Sequence, residues 1–199
     1  DLRETRGGVI VAASDRGDML NAKIALFRLD TATAKLVRIG EVAGGRGEAY
    51  GMCLGTVGGQ LYGFVVVKDG TINQVALDLS GAAPAGRIVR TMKLATQSEG
   101  CVVDDRTGTL FVAEEDVGIW RFGAAPDAPV SPQPVAKVDG KTLVADIEGL
   151  AIAHDGASGG YLVASSQGDN AYTLFALPDL RYAGRVRVAA GKVGATSET

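Results

Sequence analysis

The sequence contains one histidine, His154, and two cysteines among its 199 residues. No serine or cysteine nucleophile stands in a pattern that would pair it with His154. The motif H-E-x-x-H and the phosphate-binding loop of nucleotide hydrolases are both absent. These absences argue against the common serine, cysteine and zinc hydrolases. If the protein is an enzyme, we expect chemistry that does not depend on a side-chain nucleophile.

Long apolar runs and a net positive charge are also missing. No stretch approaches the roughly 20 apolar residues that a membrane-spanning helix needs. The net charge is −3 and the isoelectric point is about 5.2, which argues against a nucleic-acid partner. No long segment has the apolar period of a helix. We therefore expect an all-β protein that binds neither membranes nor nucleic acids.

A repeat of about 49 residues, built from short strands and glycine-rich turns, is the main feature that is present. Tyr50-Gly51, Glu99-Gly100 and Glu148-Gly149 each begin a unit at the same spacing. Repeats of this length made of short strands are typical of β-propellers. The spacing predicts one propeller domain with four blades, incomplete at both ends, with units at approximately 1–49, 50–98, 99–147 and 148–196. The Pro-rich stretch at 123–134 is expected to be a surface excursion, with an interdomain linker as the alternative.

The two cysteines, Cys53 and Cys101, lie near equivalent positions of adjacent units. Cysteine often behaves as a small buried apolar residue. Because matching strands of neighbouring blades splay apart, we expect two buried thiols and no disulfide bond.

Polar residues recur where the second strand of each unit ends and where each unit begins. Radial repetition brings equivalent positions of every blade to the same end of the central channel. We therefore expect eight side chains to converge there: Arg16, Tyr50, Lys68, Glu99, Glu115, Asp146, Glu148 and Gln167.

The chemistry of this set favours a metal and a phosphate. Carboxylates and amide oxygens are the ligands that Ca²⁺ prefers, and clustered carboxylates repel one another unless a cation neutralises them. The calcium ligands predicted from spacing are Glu99, Glu115, Asp146, Glu148 and Gln167. The cationic and phenolic groups of Arg16, Lys68 and Tyr50 suit a phosphate held between metal ions and basic side chains. A metal-activated water could then attack phosphorus.

Structural roles are the alternative for the same residues. Acidic residues at blade starts often accept hydrogen bonds from backbone amides, and Lys68 could simply belong to a turn. Because neighbouring residues of a strand point to opposite faces, Glu114 and Asp116 could replace Glu115 as the functional pair. Asp15 and Asp169 share this ambiguity, and Trp120 and Tyr172 are expected in the core.

Two long stretches carry a family resemblance: SEGCVVDDRTGTLFVAEEDVGIWRF at 98–122 and DIEGLAIAHDGASGGYLVASSQGDNAY at 146–172. Together with AASDR, AYG, VVVKDG and the final TSET, they resemble the β-propeller (alkaline) phytases over essentially the whole chain. The resemblance implies a secreted six-bladed propeller, monomeric when full length. It also implies removal of phosphate from phytate (myo-inositol hexakisphosphate) with several calcium ions and no phosphoenzyme, as in a 3-phytase.

The resemblance also implies roles for the eight residues. It assigns calcium binding to Glu99, Glu115, Asp146, Glu148 and Gln167, substrate binding to Arg16, Tyr50 and Lys68, and catalysis to Glu115, Glu148, Lys68 and Arg16. The chain is shorter than the family, so we expect a fragment that is unstable or aggregation-prone alone and at most weakly active. The alternative functions are a calcium-dependent propeller lactonase or esterase and a non-enzymatic binding scaffold.

Overall fold

Four antiparallel sheets of four strands each follow one another along the chain. The computed structural model describes residues 1–190 and 193–195, with side chains as far as residue 188. The TSET stretch at 196–199 therefore lies outside the described residues, as does the end of the fourth predicted unit. The four sheets are arranged as blades of a β-propeller, and the prediction of an all-β propeller with four blades is confirmed.

Each blade is a meander in which consecutive strands pair. The first blade consists of β1 (Leu2–Thr5), β2 (Gly8–Asp15), β3 (Asn21–Asp30) and β4 (Lys35–Arg46). The second consists of β5 (Ala49–Val57), β6 (Gln60–Val67), β7 (Thr71–Asp78) and β8 (Ala85–Lys93).

The third blade consists of β9 (Ser98–Asp104), β10 (Thr109–Glu114), β11 (Gly118–Gly123) and β12 (Gln133–Lys137), so the Pro-rich stretch joins β11 to β12. The fourth consists of β13 (Ile147–Asp155), β14 (Gly159–Ser166), β15 (Ala171–Leu177) and β16 (Arg181–Val186). A separate hairpin of β17 (Val188–Ala190) and β18 (Val193–Ala195) follows. Within the described part of the chain no helix is long and apolar enough to cross a membrane.

The blades pack face to face through apolar side chains. The cluster between the second and third blades includes Phe64, Ile72, Met92 and Leu110, each at most 1% exposed. Because each central blade is covered on both faces, its strands are apolar on both sides, as in the buried run Val65–Val67 of β6. Burial of these faces fixes the blades against one another and so fixes the strand ends that carry the polar residues.

The glycine that begins each unit allows neighbouring blades to approach closely. A Cβ atom on Gly51 would lie 2.1 Å from the carbonyl oxygen of Glu99 in the next blade. A Cβ atom on Gly100 would lie 1.9 Å from the carbonyl oxygen of Glu148. No side chain fits at such distances, so the X-Gly pairs of the repeat are explained by backbone contact between successive blades.

Cys53 and Cys101 form a disulfide bond, with their Cα atoms 5.6 Å apart, and the expectation of two free thiols is wrong. Cys53 is three residues after Tyr50, whereas Cys101 is two residues after Glu99. Because side chains alternate between the faces of a strand, this offset of one residue points the two thiols toward each other across the gap between blades. β5 and β9 approach closely here, as the contact between Gly51 and Glu99 also shows, so the predicted splay does not apply.

Candidate functional site

One backbone hydrogen bond recurs at the same end of three successive blades. In each case the amide of the polar residue that follows the second strand donates to a carbonyl two residues before the beginning of the unit. The donor and acceptor pairs are Lys68 N to Glu48 O (3.2 Å), Glu115 N to Gln97 O (3.1 Å) and Gln167 N to Asp146 O (2.8 Å). These positions are therefore structurally equivalent in the three blades, and their side chains lie at the same end of the propeller.

Two cations lie against the ring of Tyr50. The guanidinium carbon of Arg16 is 4.6 Å from the ring centroid, and Lys68 Nζ is 4.7 Å from it. Burial and the nearby carboxylates of Glu115 and Glu99 raise the pKa of Tyr50 above its ordinary value. The phenol is therefore neutral at neutral pH and stands between the basic and the acidic residues of the site.

Glu48 holds Arg16 in this position. Arg16 Nε donates a 2.9 Å hydrogen bond to Glu48 Oε1, and Arg16 Nη2 also contacts that oxygen. The hydrogen bond to Glu48 raises the pKa of Arg16. Glu48 also accepts the backbone hydrogen bond from Lys68, so one residue is tied to both basic residues of the site.

Glu115 is one of the two buried acids of the predicted set, with 8% of its surface exposed. Its Oε2 accepts a 2.6 Å hydrogen bond from Gln97 Nε2, whereas its Oε1 is buried and has no hydrogen-bond partner in the described part of the chain. Burial raises the pKa of Glu115, the Gln97 donor opposes the rise, and the Asp146 carboxylate adds to it.

The other predicted acids are linked to Tyr50, Glu115 or Gln167. Glu148 is 6% exposed, and its Oε2 accepts a hydrogen bond from Gln167 Nε2. The charges of Glu99 and Glu148 both act on the phenol of Tyr50. Each of the eight predicted residues is thus linked to at least one other by a hydrogen bond, a ring contact or an electrostatic effect.

Three of the alternative acids have structural partners. Glu114 is 1% exposed and accepts hydrogen bonds from Thr96 N, Thr96 Oγ1 and Trp120 Nε1, each at 2.7 Å. Asp169 pairs with Arg185 at 2.5 Å. Asp15 accepts a turn hydrogen bond from the amide of Gly17 at 2.8 Å. These contacts occupy their carboxylates within the fold.

Two residues of the site were missed from sequence: Glu48 and Gln97. Gln97 Nε2 lies 2.6 Å from Glu115 Oε2 and 3.3 Å from the Tyr50 hydroxyl. The signal was present, since Glu48, Gln97 and Asp146 follow one another at the repeat length of about 49 residues, each two positions before a unit begins. Only Asp146 of these three was picked out by its charge and motif.

The donor set fits a hard cation. A buried carboxylate oxygen without a hydrogen-bond donor, as at Glu115 Oε1, is costly unless a cation or a proton satisfies it. Glu115 also lies near the negative charge of Asp146. Across residues 1–190 and 193–195, no three acidic, histidine or cysteine side chains converge closely enough to form a complete metal site. Two of the predicted ligands, Glu115 and Glu148, each accept a hydrogen bond from a glutamine, Gln97 and Gln167 respectively.

Comparison with known proteins shows the family of this chain. The family model described as Phytase matches residues 5–199. This chain belongs to the Phytase family. A 3-phytase of Bacillus subtilis (strain 168) is 36% identical over an alignment of 199 positions, which covers 96% of this chain and 52% of the relative. The chain thus spans about half the length of this curated relative.

Solved structures support the fold of this phytase-family chain. A protein from Lactobacillus plantarum matches with a TM-score of 0.61 at 15% identity. The match covers 92% of this chain and 53% of the chain of that protein. A periplasmic gluconolactonase from Pseudomonas aeruginosa matches with a TM-score of 0.56 at 14% identity. This match covers 93% of this chain and 52% of the chain of the gluconolactonase. At such identities the similarity shows a shared propeller architecture and carries no activity with it.

Proposed function

We propose that the protein to which this chain belongs is a calcium-dependent phytase, a phosphoric monoester hydrolase of the 3-phytase type. The observation that carries the proposal is that basic and acidic groups both act on Tyr50. Arg16 and Lys68 lie on its ring, and the Glu115 and Glu99 carboxylates act on its phenol. A phosphate monoester needs both cationic donors for its oxygens and a means of placing water near phosphorus.

The basic residues suit a phosphate group. Lys68 and Arg16 are exposed, so their charges are accessible, and a guanidinium can present two parallel N–H donors to a phosphate. The Tyr50 hydroxyl, kept protonated by its raised pKa, adds a neutral donor. In the proposed mechanism these groups orient the phosphate and stabilise the charge that develops on its oxygens.

The carboxylates suit calcium. In this proposal Glu99, Glu115, Asp146, Glu148 and Gln167 hold the ions, and Glu115 and Glu148 lie nearest the chemistry. Calcium held by these residues would supply positive charge to offset the carboxylates and Lewis acidity to activate water. No side-chain nucleophile is required, in keeping with the lone His154.

We infer further that the domain is a six-bladed propeller, monomeric when complete, and that it acts outside the cytoplasm on phytate. The four described blades would make up most of it, in units at approximately 1–49, 50–98, 99–147 and 148–196. The Cys53–Cys101 disulfide favours an oxidising compartment, because such bonds are rare in reducing cytosol.

Phosphate release from phytate at neutral pH, with millimolar calcium or with a chelator, tests the proposal in the whole protein that carries this chain. Release that requires calcium supports it. If folded protein releases no phosphate in either condition, a binding scaffold becomes the better explanation. Hydrolysis of sugar lactones by the same sample would favour the lactonase alternative.

A further inference from the structure

Gln97 joins the two halves of the candidate site. Its side-chain Nε2 donates to Glu115 Oε2 at 2.6 Å and to the Tyr50 hydroxyl at 3.3 Å. A primary amide has two N–H donors on one nitrogen, so both contacts can be made together. Tyr50 belongs to the second blade, whereas Gln97 and Glu115 belong to the third, so this amide crosses the junction between blades.

The backbone fixes Gln97 in this place. The carbonyl oxygen of Gln97 accepts a 3.1 Å hydrogen bond from Glu115 N, and the adjacent Ser98 is fully buried at the beginning of β9. Gln97 and Glu115 are therefore held together by their main chains as well as by their side chains. Such a second connection restricts the rotamers available to both residues and lowers the entropy lost when a ligand binds.

The consequence for Glu115 is an asymmetry between its two oxygens. Gln97 occupies Oε2, and Oε1 is left buried without a hydrogen-bond donor. A carboxylate held in this way presents one defined oxygen to a ligand and cannot rotate freely to present the other. Hydrogen-bonded partners of metal ligands commonly orient them in this manner.

We propose that Gln97 is a positioning residue that orients Glu115 so that Oε1 faces the calcium ion, and that it ties this orientation to the place of Tyr50. This inference rests on the proposed calcium-dependent function. It gives a role to an uncharged side chain whose amide nitrogen donates to the Glu115 carboxylate.

The test compares calcium binding by calorimetric titration in the whole protein and in two variants, Gln97→Leu and Gln97→Asn. Leucine has similar bulk without the donor, and asparagine keeps the amide on a side chain too short to reach. We expect one calcium-binding event to weaken about tenfold in both variants, as when an outer partner of a metal ligand is removed. Gln60→Leu is the matched control, since Gln60 bonds to Leu61 O and Leu77 O at the far end of β6.

Activity gives a second measurement. The calcium concentration for half-maximal phosphate release should rise about tenfold in both Gln97 variants, with kcat at saturating calcium within about twofold of the parent. If the role of Gln97 were purely structural, the variants would instead have a lower unfolding temperature. The calcium concentration for half-maximal phosphate release by the folded protein would then be unchanged. If Gln97→Leu does not fold, Gln97→Asn decides the question.

The possible failures are distinguishable. A parent protein that binds no calcium overturns the proposed function and this inference with it. A parent that binds calcium, with both variants binding equally well, overturns the role of Gln97 alone and leaves the proposed function standing.

Discussion

Arg16 donates a hydrogen bond of 2.9 Å from Nε to Glu48 Oε1. The same guanidinium lies on the ring of Tyr50, so an anion that binds Arg16 must share it with an acidic side chain. Glu48 therefore both orients Arg16 and neutralises part of its charge. The first prediction separates these two effects.

Glu48→Gln should lower the KM for phytate, because glutamine can still accept the hydrogen bond from Arg16 but no longer competes with phosphate for its charge. Exposed ion pairs contribute up to about 1 kcal/mol, which corresponds to about a fivefold change in KM. The effect should shrink at high salt, since screening weakens exposed charges. Steady-state kinetics at two ionic strengths measure it, and a KM that rises at low salt would show that orientation matters more than charge.

Lys68→Ala should reduce kcat/KM for phosphate release by about 10- to 100-fold, the effect of losing a charged hydrogen bond of about 1.5–3 kcal/mol. The physical reason is that Lys68 supplies one of the two cations beside Tyr50. Lys35→Ala, which removes an exposed lysine at the beginning of β4, is the control. Unchanged phosphate release in Lys68→Ala would remove this residue from the site, whereas a lactonase would be little affected by it.

Reduction of the Cys53–Cys101 bond should destabilise the protein by about 2–4 kcal/mol, because it releases a constraint on the unfolded chain across a sequence separation of 48 residues. Denaturant unfolding with and without a thiol reductant measures the change. In the Cys53→Ala/Cys101→Ala variant the reductant should have no effect. Equal stabilities of the oxidised and reduced parent protein would contradict this prediction.

Asp139 should make stability depend on acid pH. Hydrogen bonds from the amides of Lys141, Leu143 and Thr142 to its carboxylate lower the pKa of Asp139 from 3.8 to about 2. Since the folded state favours the ionised form, the stabilisation is present above the unfolded-chain pKa and is lost as pH falls through about 2.

Urea unfolding of Asp139→Asn at several pH values tests this sign. The variant should be less stable than the parent at pH values above 3.8, and the difference should narrow toward pH 2. Asp179→Asn, which removes an exposed carboxylate and changes net charge equally, controls for general charge effects. A stability difference that stays constant across this range would be evidence against the assigned pKa shift.

Much of the fold was determined by the sequence itself. The repeat of about 49 residues, the glycine turns and the short apolar strands predicted blades whose beginnings the structure gives at Ala49, Ser98 and Ile147. Periodicity was sufficient here because a propeller repeats the same local contacts in every unit. The same regularity indicated that Tyr50, Glu99 and Glu148 would share one end of the molecule.

Only the tertiary structure decided how side chains of different blades meet. The disulfide depends on a one-residue offset between Cys53 and Cys101 across an interface, which composition and spacing did not reveal. The role of Glu114 as a buried acceptor, and the contacts of Gln97 with both Tyr50 and Glu115, likewise depend on side-chain direction. Spacing along the chain fixes which end of a blade a residue occupies, whereas packing between blades fixes which atoms it reaches.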